Sequence, residues 1–131
     1  MVNNYTYLEH RADLYIQGQG KNRKEAIEGI AQGLFNVTGK GKEIGKIEFE
    51  ERGIDFQDLV VNIFTRILGE MDAESISGVK IEVLEITDNK AKIVFYYGEN
   101  VNKMHVKAVT LHGFEEINEG KSVKVRILFD T

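Results

Sequence analysis

The chain has no cysteine and no proline among its 131 residues, and its only serines are Ser75, Ser77 and Ser122. Without cysteine there are no disulfides, thiolate zinc sites, iron–sulfur clusters or cysteine nucleophile, and a reducing compartment is the natural setting. Without proline one boundary signal is missing, so strand ends must be placed from hydrophobic pattern alone. None of the three serines lies in G-x-S-x-G, which argues against a serine hydrolase. No apolar run approaches the roughly 18 residues of a membrane-spanning helix. The opening MVNNYTYLEHRAD has neither a basic start nor an apolar stretch, so no signal peptide is expected and the expected location is the cytoplasm. Basic charge is also in short supply. Seventeen Lys and Arg stand against 21 Asp and Glu, a net charge of −4. That is the wrong sign for holding nucleic acid by phosphate neutralisation, so any RNA would be held by a partner.

The length suits a single domain over 1–131, with one hydrophobic core burying about 68% of the surface exposed by the unfolded chain. Two segments carry helical periodicity. In NRKEAIEGIAQGLFNVTG, Ile27, Ile30, Ala31, Leu34 and Phe35 share a face, with Asn22 as N-cap, Glu25 three residues on and Gly39 beyond the end. In DFQDLVVNIFTRILGEMD, the stripe is Phe56, Leu59, Val60, Ile63, Phe64, Ile67, Leu68 and Met71 behind an Asp55 cap. Four segments alternate with period two: KIEFEERG, GVKIEVLEI, AKIVFYYG and SVKVRILFD. TYLEHRADLYIQGQG is a looser strand. MHVKAVTLHGFEEI is apolar enough for a strand buried on both sides or one leading into a loop. ITDNKAK is a hairpin turn in which Asp88 and Asn89 can supply positive φ. The predicted fold class is α+β: a two-layer sandwich in which two amphipathic helices pack on one face of a mostly antiparallel or mixed sheet.

Familiar motifs fail on inspection. GQGKNR has Gly18 and Gly20 at the spacing of a dinucleotide fingerprint, but Arg23 stands where the third glycine belongs, leaving a glycine turn. GKGKEIGK yields no phosphate loop, because Ile47 follows Gly45 and Lys46 where Ser or Thr is needed; a solvated connection is expected. Asn4-Tyr5-Thr6 and Asn36-Val37-Thr38 match glycosylation acceptors only by coincidence in a cytoplasmic chain. His105 reads as a surface residue on an alternating strand. His10 and His112 sit in polar clusters at strand or turn boundaries, where a structural hydrogen bond and a functional role are both open. At the end, the strand Val123 to Phe129 is followed only by Asp130 and Thr131. A side-chain carboxylate and an α-carboxylate are thereby held together, and such oxygen pairs repel unless a hard cation such as Ca²⁺ or Mg²⁺ lies between them.

Tyr7-Leu8-Glu9-His10-Arg11-Ala12-Asp13 resembles the N-terminal signature of the archease family, roughly Y-x-x-L-E-H-T-A-D-[IL]-G. Gly98-Glu99 with Val106-Lys107-Ala108-Val109-Thr110-Leu111-His112 is similar to that family's G-E and K-A-[VI]-T-Y-H motif, and Arg126 to Thr131 to its closing strand. The likeness spans essentially the whole chain. It departs at Arg11, Tyr15 and Leu111, where the family favours Thr, Gly and Tyr.

The resemblance implies a metal-binding accessory protein, not itself an enzyme, for the RNA-splicing ligase that joins tRNA halves. That ligase attaches guanylate from GTP to its own histidine, and archeases promote this step and allow multiple turnover. Carried over, the metal ligands are Asp13, Asp130 and the α-carboxylate of Thr131, with Ca²⁺ the foremost metal and Mg²⁺ or Mn²⁺ possible. Glu9, His10, Lys107 and His112 would line the same tip as supporting or partner-contacting residues. The expected partner is the ligase, with tRNA reached only through it; no membrane and no nucleotide cofactor are implied. Two alternatives stand: a chaperone-like modulator of a tRNA methyltransferase, and a metal-dependent hydrolase acting alone.

Overall fold

The computed structural model describes residues 4–10 and 13–131. In chain order the elements are β1 (Tyr5–Leu8), β2 (Leu14–Gly20), α1 (Arg23–Thr38), β3 (Glu43–Arg52), α2 (Phe56–Ala73), β4 (Ile76–Ile86), β5 (Lys90–Glu99), β6 (Ala108–Glu119) and β7 (Ser122–Asp130). Both helices start where their caps predict. Asn22 accepts the Glu25 N–H at 3.0 Å and Asp55 accepts that of Asp58 at 2.8 Å, each closing one orphan donor of a first turn. At the other end of α1 the Gly39 N–H bonds to Phe35 O at 2.9 Å, with glycine free to take φ 118°.

The strands form two antiparallel sheets, one ordered β1-β2-β7-β6 and the other β3-β5-β4. Period-two alternation tells which face a side chain uses but not which strand lies alongside, so the partition into two sheets is new information. Each helix contacts strands of both sheets. The core joins Ile27, Ile30, Leu34 and Phe35 of α1, Leu59, Ile63, Phe64 and Ile67 of α2, and Ile16, Ile93, Phe95, Ile127 and Phe129 from the sheets. Gly18, expected in a turn, lies inside β2. A Cβ there would fall 1.9 Å from Ala26 O, so the bare backbone is what lets β2 lie against α1. No helix of the described residues is long and apolar enough to cross a membrane.

Three local expectations are corrected. Neither Asp88 nor Asn89 has positive φ. The β4–β5 turn is held instead by the Thr87 hydroxyl, which accepts the Lys90 N–H at 3.1 Å, and by Thr87 N–H to Lys90 O at 2.8 Å. GKGKEIGK is only half connection, because β3 begins at Glu43. His105 lies in the irregular segment before β6, which is a largely exposed edge strand and not one buried on both faces.

Candidate functional site

The site forms at one end of the four-stranded sheet, where a strand start and a strand end coincide. The β2–β7 register pairs Leu14 with Phe129, so the next residues outward are Asp13 on one strand and Asp130 on the other. Phe129 is fully buried and anchors the end of β7 in the core, while Asp130 is exposed and Thr131 half-buried. On the far side of β7, the Lys107 N–H donates to Asp130 O at 2.8 Å and Ala108 pairs with Asp130, which fixes the strand end against β6. The Asp13 N–H donates to His10 O at 2.9 Å, turning the chain from β1 into β2.

The histidines meet at this end. His10 Nδ1 lies 3.7 Å from Asp13 Oδ2, each side chain one-third exposed. That nitrogen is itself buried and has no hydrogen-bond partner among the described residues. The His10 ring stands edge-on to Tyr15, centroids 5.7 Å apart, and to His112 at 6.3 Å. His112 is carried by an irregularity in β6 between Thr110 and Glu115, with Gly113 at φ 81° and the His112 N–H bonded to Thr110 Oγ1 at 3.1 Å. Tyr15 locks the arrangement, its hydroxyl donating to Gly113 O. Burial foremost, and then the Glu115 charge, push the Tyr15 phenol above its ordinary value against the pull of Arg126, so it stays a protonated donor. On the same outward face, Arg126 donates to Gln17 Oε1 at 2.9 Å and its guanidinium lies 3.6 Å from Glu115.

The structure brings His10 against Asp13 and His112, and the strand register sets Asp13 and Asp130 on adjoining strand ends with the Lys107 backbone against Asp130. Glu9 is exposed just past β1, and the Lys107 side chain is exposed. Among the described residues no three His, Asp or Glu side chains stand close enough to hold a metal ion together. The donors at hand are two carboxylates on neighbouring strand ends, the orphaned His10 nitrogen and whatever Thr131 adds, a set rich in hard oxygen and suited in chemistry to Ca²⁺ or Mg²⁺. Tyr15 was overlooked as a site residue. The signal was available, since alternation along β2 puts residues 13, 15 and 17 on one face. Arg11 and Ala12, within the N-terminal motif, lie outside the described residues.

A sequence model of the Archease protein family (MTH1598/TM1083) matches residues 5–131. The chain belongs to the archease family. Archeases similar to it include that of Pyrococcus abyssi, 31% identical over 89% of this chain and 92% of its own length, and that of Danio rerio, 28% identical over 96% and 84%. Two solved structures share the archease fold. The solution structure of Methanobacterium thermoautotrophicum protein 1598 superposes with a TM-score of 0.77 at 23% identity, covering 99% of this chain and all of that one. The Thermotoga maritima crystal structure, described as an archease and possible chaperone, gives 0.72 at 20% identity over 95% and 94%.

Proposed function

We propose that this archease is a metal-carrying accessory protein that activates an RNA-splicing ligase, favouring the ligase conformation competent for guanylylation. The observation that carries this reading is the β2–β7 register, which brings Asp13 and Asp130 to adjoining strand ends beside the start of β6. A divalent cation there, Ca²⁺ foremost and Mg²⁺ or Mn²⁺ otherwise, would be held by Asp13, Asp130 and the α-carboxylate of Thr131, and would neutralise their repulsion. The chain's own residues do the rest. His10, wedged between Tyr15 and His112 with its Nδ1 3.7 Å from Asp13 Oδ2, is placed to steady that carboxylate once a cation draws the two together, as partners of metal ligands commonly do. Exposed Glu9, Lys107 and His112 offer contacts to a partner, and the net charge of −4 suits approach to a basic nucleic-acid channel.

The test is ligase guanylylation from GTP in the presence of this chain, of Asp13→Asn, of Asp130→Asn, and of a version extended by several residues past Thr131. Stimulation by the parent and its loss in all three folded variants supports the reading; unchanged stimulation by the carboxylate variants refutes it.

A second reading, a chaperone-like modulator of a tRNA methyltransferase, draws on exposed apolar side chains. Leu111 is 51% exposed and Ile54, just before α2, 91%, while Gln57 of the first α2 turn reaches Leu111 O at 3.5 Å. It predicts an effect on the methyltransferase that survives Asp130→Asn and is lost in Leu111→Ser.

A further inference from the structure

The C-terminal ends of both helices open on one cavity, beside the segment that leads into β6. It measures about 330 Å³, with Thr38 of α1, Asp72 of α2 and His105 in its lining. Past Leu68, Asp72, His105 and Val106, which line both, it continues into a second groove of about 420 Å³ that runs along α2 beside Gly69 to Ala108.

Three observations give this cavity a chemistry. Thr38 is 1% exposed, and its hydroxyl has no hydrogen-bond partner among the described residues. A helical threonine ordinarily turns its hydroxyl onto a carbonyl one turn back, and a buried polar atom left alone needs a water or a ligand. Next comes charge. A helix C-terminus carries about half a negative charge, and neither helix has a basic residue in its last turn. Asp72 adds a carboxylate that makes no ion pair among the described residues. Lys103 in the lining of this cavity offsets only part of this, roughly one positive charge against two negative, and Lys107 lines only the second groove. Finally, Gly69 interrupts α2 where a Cβ would meet nothing within 4 Å. Glycine weakens a helix interior, and no packing within the chain asks for it here. It leaves bare helix backbone in the lining of the second groove, which Leu68 and Val106 also line.

We propose that this cavity binds a protonated aliphatic amine, its ammonium group donating to the Thr38 hydroxyl and the Asp72 carboxylate and its stem lying along Gly69. The ligand needs both parts. An ammonium supplies donors to acceptors that have none, and a short apolar stem matches the walls beyond.

The experiment is a titration of the full chain, isotopically labelled, with n-butylammonium, n-butanol and butyrate, followed by amide chemical shifts. Saturable shifts at Thr38, Asp72 and His105 with the amine, and none with the alcohol or the acid, support the site. Asp72→Asn, an exposed position that leaves the core untouched, should weaken amine binding by about tenfold, the weight of one charge-assisted hydrogen bond; the isosteric Thr38→Val should weaken it as well. Equal shifts with butanol, preference for butyrate, no saturable shift, or an Asp72→Asn variant that binds as before would each overturn the proposal. Spermidine and a lysine blocked at both ends then separate the sources. Tighter binding of spermidine assigns the site to a free polyamine, and equal or tighter binding of the blocked lysine assigns it to another protein's side chain.

Discussion

Arg23 grips Glu116 with both arms of its guanidinium, Nε at 2.6 Å from Oε2 and Nη2 at 2.9 Å from Oε1. The same group reaches Asp88 at 2.7 Å and lies 3.8 Å over the Phe56 ring. One side chain thus ties the first turn of α1 to β6, to the β4–β5 turn and to the start of α2. The Glu116 hydrogen bonds, foremost among the causes, hold the guanidinium even more firmly protonated than usual. Its arms differ in worth. The Glu116 side chain is 18% exposed and that of Asp88 84%. Arg23→Lys keeps the charge but loses the two-armed geometry, and is expected to cost about 1–3 kcal/mol; Asp88→Asn should cost under about 1 kcal/mol. Urea unfolding of both variants checks the order, and equal losses would mean the clamp is not centred on Glu116.

Gly18 offers a sharper test of packing. Alanine there drives a methyl into the Ala26 carbonyl and the Ile30 side chain, so strand and helix must separate. A loss of about 3 kcal/mol is expected from overpacking against backbone, with α1 amides losing hydrogen-exchange protection first.

Glu28 predicts a pH dependence. Its carboxylate accepts the Val83 N–H at 2.8 Å where β4 is irregular, but burial outweighs that bond and raises its carboxyl pKa above the ordinary 4.5. The folded state therefore holds this proton more tightly than the unfolded chain. The stability this contributes is complete below pH 4.5 and is lost as pH rises through the raised value. Glu28→Gln, which keeps an acceptor for Val83, should remove that pH dependence and be at least as stable at neutral pH. Glu28→Ala strands the Val83 N–H and should cost about 1–3 kcal/mol. Thermal melts from pH 4 to 8 decide it, and a parallel pH profile in Glu28→Gln would sink the assignment.

Calcium should raise the melting temperature of the chain, and EDTA should reverse the rise. At a hundredfold excess over the dissociation constant the stabilisation is about 2.7 kcal/mol. Asp13→Asn with Asp130→Asn should abolish it while leaving the metal-free melt close to that of the parent or slightly above, since two repelling charges are gone. A calcium response retained in the double variant would place the ion elsewhere.

The helices were legible because each of their features is local. Asn22 and Asp55 cap, Gly39 stops, and the apolar stripes repeat within a few turns. The turn at Thr87 was misread because a threonine hydroxyl can close a turn with no positive φ, and the alternation around His105 belongs to a segment that joins no sheet. At the site, Asp130 and the α-carboxylate of Thr131 stood out as a pair ending a patterned strand. The pairing of Asp130 with Asp13 is a matter of register between chain ends, which composition and periodicity do not encode; only the family resemblance supplied it. Tyr15 entered the reading as a departure from the family pattern, yet it is the residue that ties the His10 ring to Gly113.

The placement of β7 also governs when the molecule can form. Residues 122–130 are the last strand in the chain, yet they lie between β2 and β6 and pair with both. During synthesis the first hundred or so residues emerge with no partner for β2 beyond the four-residue β1, while α1 presents an apolar face that β7 helps to cover. The four-stranded layer must therefore wait for the final strand to clear the ribosome and slide into a gap between two existing edges. Nascent chains that stall before residue 122 would leave β2 and β6 open to other strands, which makes premature termination an aggregation hazard.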